Sequence, residues 1–240
     1  MPTNVDFEGL RVAVTGGTSG LGLALVRLLA ATGAHVAFVA RTVEAVEHTA
    51  KETGAHGIVG DVGRKEEIYP IALQITGHLG GLDVLVNGAS SLGSIPLAPL
   101  ADTECEELEL ALAVNLLGPF RLTKALFGAL AASARHGRGA VVVNISSDAA
   151  INAYPDWGAY GVSKAALRHL TAIWGEEAGA DGVRFLSVDP GDMDTPLHAL
   201  AIPDADRSSL RRPEASAAEI LEVIAGTLQS HAARLVGAHS

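Results

Sequence analysis

Apolar positions along this chain follow two alternating rhythms. Short runs rich in Val, Ile and Leu at 10–15, 35–40, 56–60, 83–87, 140–145 and 183–189 have the length and β-branched content of strands covered on both faces. Between them, Leu- and Ala-rich stretches at 20–32, 43–52, 65–79, 102–134 and 159–178 repeat at helical spacing, and a last helix is expected over 216–230. Gly33 stands where a helix C-terminus favours a left-handed residue, and Gly118-Pro119 should kink the long segment that contains it or make it irregular. Six strand–helix alternations without a break in composition predict one α/β domain over 1–240. Its expected form is a Rossmann-type, doubly wound parallel sheet with helices on both faces, because each parallel crossover needs a helix. The stretch 191–214, with Pro196, Pro203 and Pro213, shows no clear period and is expected to be a substrate lid.

Composition narrows the function. Hydrophobic residues make up 48% and charged residues 18%, enough to bury a large core. No uninterrupted apolar run reaches the ~20 residues of a bilayer span. The start, MPTNVDFEGLR, has no basic and apolar succession of a signal peptide. A formal net charge of −10 removes the attraction on which nucleic-acid binding depends. Cys105 is the only cysteine, which fits a reducing cytosol; Glu104, Glu106 and Glu107 beside it make it a poor nucleophile. The expectation is a cytoplasmic protein with neither membrane nor nucleic acid as partner.

The first strand runs into Thr15-Gly16-Gly17-Thr18-Ser19-Gly20-Leu21-Gly22 and then a helix. Glycines there let main-chain N–H groups approach a diphosphate at a helix N-terminus, although such a cluster also makes a plain tight turn. Asp61-Val62 ends the third strand, where a carboxylate can accept from an adenine amino group or simply face water. Asn87-Gly88-Ala89-Ser90 ends the fourth, with small residues that admit a ribose or flat ring. After the second strand stands Arg41 instead of an acid. It can pair with a 2′-phosphate or stack on an adenine face, and the charge favours NADP(H) over NAD(H).

Tyr160 and Lys164, four apart, share one helix face, where a nearby ammonium would favour the phenolate. A surface Tyr–Lys pair has the same spacing. Ser147 ends the fifth strand, where its hydroxyl can hold a substrate oxygen. Asn115 lies beside Gly118-Pro119, where a helix break can open its amide and backbone to water, or where it simply serves as a satisfied residue at the break.

Together these motifs resemble the short-chain dehydrogenases/reductases over about residues 8–200. TGGTSGLG at 15–22 is similar to the family's TGxxxGxG, DV at 61–62 to its adenine-contacting pair, and NGAS at 87–90 loosely to its NNAG. LAVNLLGPF at 112–120 resembles the segment with its Asn, NISS at 144–147 the strand with its Ser, and YGVSK at 160–164 its YxxxK. DPGDMDT at 189–195 resembles its PG motif, which brings Pro190, Gly191, Met193 and Thr195 to the cofactor. The resemblance implies hydride transfer between a nicotinamide dinucleotide and a small alcohol or carbonyl. It implies that Tyr160 is the general acid/base and Lys164 lowers its pKa and holds the nicotinamide ribose. Ser147 would polarise the carbonyl, and Asn115 would hold a water linking Lys164 to solvent. Departures are Gly88 and Ser90 in NGAS, and Asp189 where Asn is usual. The chain ends RLVGAHS, without the last strand that many relatives use in forming tetramers. A homodimer through the helices at 102–134 and 159–178, or a homotetramer, is expected.

Asp148, Asp156, Asp189, Asp192 and Asp194, with Tyr154, Trp157, Met193 and His198, flank the catalytic candidates. They line a pocket favouring hydroxylated or cationic substrates over carboxylates, or else serve as caps and solvated loop residues. No complete metal ligand set is legible, and none is expected. Two rivals to this activity are a silent dinucleotide sensor that kept the fold and an epimerase or dehydratase of a related extended family. The sensor would be expected to have lost Tyr160, Lys164 or Ser147. The second needs a larger substrate domain than this C-terminal region provides.

Overall fold

A computed structural model describes residues 7–237, with side chains described through residue 230. Strands β1 (Arg11–Thr15), β2 (His35–Ala40), β3 (His56–Val59), β4 (Val84–Asn87), β5 (Ala140–Ile145) and β6 (Val183–Val188) form one sheet in the order β3-β2-β1-β4-β5-β6, every pair parallel. The order reverses between β1 and β4, so the crevice above their C-terminal ends lies at a topological switch point.

Alternate strand residues feed two cores. Val12, Val14, Val84, Val86, Val141, Val143 and Ile145 face α1 (Gly20–Ala31), α2 (Val43–Thr53) and α8 (Pro213–Gly237). Ala13, Leu85, Ala140 and Val142 face α3 (Ile68–Leu79) and α5 (Gly118–Arg135). On this second side α4 (Cys105–Leu112) and α6 (Gly158–Glu177) complete the layer. Burial on both faces is why these strands read as nearly continuous apolar runs.

The expected break at Gly118-Pro119 takes a specific form. Pro119 has no N–H to give the Asn115 carbonyl, its α-helical acceptor, and the chain widens into a π-helical segment over Ala113–Leu117. By length and composition Cys105–Arg135 could cross a membrane, unlike what the separate apolar runs suggest. In this fold it packs against α3, α6 and β5.

The 191–214 segment is more regular than expected. Thr195 caps α7 (Pro196–Ala201), its hydroxyl accepting from the His198 N–H at 3.2 Å, and Pro196 begins the helix. A single turn at Arg207–Ser209 follows, and a bridge between Met193 and Arg211 closes the base of the loop. Six residues give too few helical periods to be legible in a sequence.

At the opposite end of the sheet, fully buried Asp83 ties three segments together. It accepts from the Arg11 backbone N–H at 2.9 Å, the Arg11 guanidinium at 2.6 Å and the Arg138 guanidinium at 3.0 Å, and the Ser133 hydroxyl bonds to it as well. Burial alone would raise this carboxyl, but the two guanidiniums and Ser133 hold it well below the usual carboxylate range.

Candidate active site

A cleft of about 920 Å³ opens above the β1–β4 switch. Its floor begins where β1 turns at Gly16, whose φ of +77° suits glycine, and passes Ser19 into α1. A Cβ on Gly22 would stand 2.1 Å from the Gly16 carbonyl oxygen, so only glycine lets the helix start this close to the loop. Ser19 makes no side-chain cap, which leaves the N–H groups of α1 directed at the cleft. Thr15 fixes the adjoining wall: its hydroxyl accepts from the N–H groups of Gly88 and Ala89 at 3.0 and 3.1 Å.

Thr18, Gly20, Leu21, Arg41, Asp61, Val62, Gly88, Ala89, Pro190, Gly191, Met193 and Thr195 line this cleft with Gly16, Ser19 and Gly22. Arg41 is exposed at the mouth after β2, and Asp61 holds the Gly63 N–H at 2.8 Å. Asn87 does not line it. Its side chain turns under the sheet, donating to Asn144 Oδ1 at 2.8 Å and Thr123 Oγ1 at 3.3 Å, because strand alternation directs it toward the α5–α6 layer. The glycine cradle, the uncapped helix start and the run of the cleft from Arg41 to Tyr160 fit an extended dinucleotide.

At the other end stand Ser147, Tyr160 and Lys164. Lys164 is buried, its Nζ donates to the Ile145 carbonyl at 2.8 Å, and it lies 5.4 Å from the centre of the Tyr160 ring. Burial pulls its pKa down to about 8. The expected depression of Tyr160 is not found here. Burial pushes the phenol up to about 12, the Ser147 and Ser90 hydroxyls oppose that rise, and Asp189 and Asp148 add to it. A lysine that is itself desolvated and committed to a strand carbonyl does not offset the loss of water around the phenol. Ser147 caps the turn Asp148–Ala150: its Oγ accepts from the Ala149 N–H and donates to Asp148 at 3.1 Å.

Asn115 lies behind this group, 1% exposed. Of its two readings the satisfied one holds for the amide, which does not face water; it is consumed by Ser91 and by Ser163, whose hydroxyl donates to the Tyr160 carbonyl at 2.6 Å. Of the five candidate acids, Asp148, Asp189 and Asp192 line the cleft together with Tyr154, Trp157 and His198. Asp156 takes a left-handed turn with φ of +70°, and Asp194 pairs with Arg207 at 2.8 Å on the surface. Leu92 and the α7 residues Leu197, Leu200 and Ala201 also line the cleft and went unread as site residues, while Ser90 was read only as a small residue of the wall after β4. Ser90 had a signal, since it departs from the motif. No three His, Cys, Asp or Glu side chains are grouped to hold a metal among the described residues.

Comparison with known proteins agrees with this geometry. The family model for short chain dehydrogenase matches residues 11–205. A 2,5-dichloro-2,5-cyclohexadiene-1,4-diol dehydrogenase of Sphingobium indicum is 33% identical over 196 residues, covering 80% of this chain and 76% of its own. A 2-(R)-hydroxypropyl-CoM dehydrogenase of Xanthobacter autotrophicus is 33% identical, with 78% and 76% covered. Among solved structures, a short chain dehydrogenase from Salmonella enterica serovar Typhi superposes with a TM-score of 0.83 at 25% identity, covering 97% of this chain and 96% of that one. One from Burkholderia cenocepacia, in complex with NADP, shares the fold with a TM-score of 0.80 at 24% identity, covering 91% of each chain.

Proposed function

The chain belongs to the short-chain dehydrogenase family of oxidoreductases, and on that premise we propose that it transfers a hydride between NADP(H) and a small alcohol or carbonyl, with Tyr160 exchanging the proton. One observation carries this reading: a single cleft joins the glycine loop of β1–α1 to Tyr160 and Lys164. The nicotinamide supplies the hydride when bound. The chain supplies the rest. The α1 N-terminus and the glycine loop hold the diphosphate, and Arg41 meets a 2′-phosphate. Asp61, Val62, Gly88 and Ala89 flank the adenine and riboses, with Pro190, Gly191, Met193 and Thr195 closing over the far end.

Ser147 donates to the substrate oxygen, exchanging its bond to Asp148 for that one. Tyr160 protonates the developing alkoxide in reduction or takes the alcohol proton in oxidation. Lys164 holds the ribose and keeps positive charge near the phenol. The Asn115 carbonyl, deprived of its helical donor by Pro119, holds the water that connects Lys164 to solvent. Asp148, Asp189 and Asp192 make the substrate end acidic, favouring hydroxylated or cationic substrates over carboxylates. The segment 191–214, with α7, serves as the substrate lid.

Exposed Leu110, Leu117, Val162 and Ile173 on α4, the π segment and α6 support a homodimer through these helices, with a homotetramer as the larger alternative. The lone Cys105 accords with a reducing cytoplasm. The deciding experiment measures NADPH oxidation against ketones, aldehydes, quinones and diketones, repeated with Tyr160→Phe. Turnover that depends on Tyr160 upholds the reading. Nucleotide binding with no turnover of any carbonyl replaces it with a silent dinucleotide sensor.

A further inference from the structure

Ser90 follows β4 in the wall of the cleft, where the related motif carries glycine. Its Oγ is shut off from solvent and makes no well-formed hydrogen bond, although it bears on the Tyr160 phenol. A buried hydroxyl without a well-formed bond is uncommon and points to a group that arrives later. The next residue is held rigidly: Ser91 N–H donates to Asn115 Oδ1 at 2.8 Å, and Ser91 C=O accepts from Asn115 Nδ2 at 2.7 Å. Asn115 in turn reaches Ser163 on α6, one turn from Tyr160. The wall that carries Ser90 and the helix that carries Tyr160 are therefore locked together by a buried chain of hydrogen bonds, so the Ser90 hydroxyl is held in place relative to the phenol.

We propose that Ser90 is a further positioning residue of the active site, its hydroxyl joining that of Ser147 to receive the oxygen at which Tyr160 exchanges its proton. β4 and β5 are neighbours in the sheet, so the two serines descend on that oxygen from adjacent strand ends. Ser147 is already engaged with Asp148 and the Ala149 N–H, whereas Ser90 makes no well-formed hydrogen bond and bears on the Tyr160 phenol. Two hydroxyls disposed this way stabilise developing negative charge on either the phenol or the substrate oxygen. Both serines oppose the rise of the Tyr160 pKa, as two donors beside the phenol should.

This inference rests on Tyr160 as the acid/base, and the test separates the two. Tyrosine labelled with 13C at Cζ is followed by NMR from pH 7 to 11.5 in the nucleotide-free protein, the Tyr160 signal being assigned with Tyr160→Phe. In Ser90→Ala the ionised fraction of Tyr160 at pH 11 should fall about threefold, half a pKa unit, and Ser90→Thr, which keeps the hydroxyl, should restore it. NADP+ affinity should stay within about twofold. Where turnover is present, Ser90→Ala should lower kcat/KM about tenfold, with Ser90→Thr largely rescuing it. Superimposable titrations of wild type and Ser90→Ala overturn the proposal. So does a loss of NADP+ affinity with unchanged ionisation, which would assign Ser90 to the nucleotide wall. Turnover surviving in Tyr160→Phe sinks the reading of Tyr160 instead and leaves the ionisation comparison standing.

Discussion

Asn115 and Ser91 exchange two hydrogen bonds, Ser91 N–H to Asn115 Oδ1 at 2.8 Å and Asn115 Nδ2 to Ser91 C=O at 2.7 Å. A side-chain amide here imitates a strand neighbour and pins the loop after β4 to the π segment. Replacing it by alanine leaves buried backbone groups unpaired and frees the loop. Asn115→Ala should lose about 2 kcal/mol of stability in urea unfolding and lower turnover as well. Unchanged stability would show that water takes over both bonds.

Tyr160 is protonated at neutral pH, its pKa raised to about 12 by burial. The acid form needed for reduction is therefore abundant, and the phenolate needed for oxidation is scarce. Alcohol oxidation should climb with pH between about 7 and 10 while carbonyl reduction stays flat from about 6 to 8. Tyr160→Phe should reduce both about a thousandfold without weakening nucleotide binding. Oxidation that falls with rising pH, or reduction that rises with it, would remove Tyr160 from the proton transfer.

Arg41 stands exposed at the cleft mouth after β2, where no acid competes for a ribose hydroxyl. A guanidinium bonded to a phosphate contributes more than a neutral hydrogen bond. Arg41→Ala should lower the preference for NADP+ over NAD+ by at least about tenfold, measured as the ratio of dissociation constants. A ratio that does not move would place the guanidinium on the adenine face.

Asp83 carries two guanidiniums and is itself fully buried. Its carboxyl is depressed in the folded chain, so its contribution to stability is present above the ordinary carboxylate pKa, about 4, and fades as the pH falls below it. Asp83→Asn should cost about 3 kcal/mol at pH 7. The variant's stability should also fall less steeply than wild type between about pH 4 and 2. Parallel curves for the two proteins would mean that the acid-labile group lies elsewhere.

Charge in the substrate end gives a further expectation. Asp148, Asp189 and Asp192 line it, while the cationic Arg41 lies at the cofactor mouth. Neutral hydroxyketones and amino ketones should give higher kcat/KM than keto acids of the same size. Asp192→Asn should narrow that gap. Keto acids turned over best would overturn it.

Much was legible because it is local or periodic. Two-sided burial writes strands as unbroken apolar runs, crossovers require helices, and both the glycine loop and the four-residue spacing of Tyr160 and Lys164 are short patterns. The six-strand parallel sheet, the helix break at Gly118-Pro119 and the family follow from these. What tertiary structure alone decided is where a side chain goes and what surrounds it. Asn87 turns away from the cleft into a buried amide pair with Asn144, Asn115 spends its amide on Ser91 and Ser163, and α7 forms from one cap and one proline. The Tyr160 phenol rises instead of falling because desolvation depends on every wall of the cleft, which no spacing of residues records. Ser90 makes the same point: a serine in a motif is a letter, and only its enclosure beside the Tyr160 phenol makes it a candidate for the chemistry.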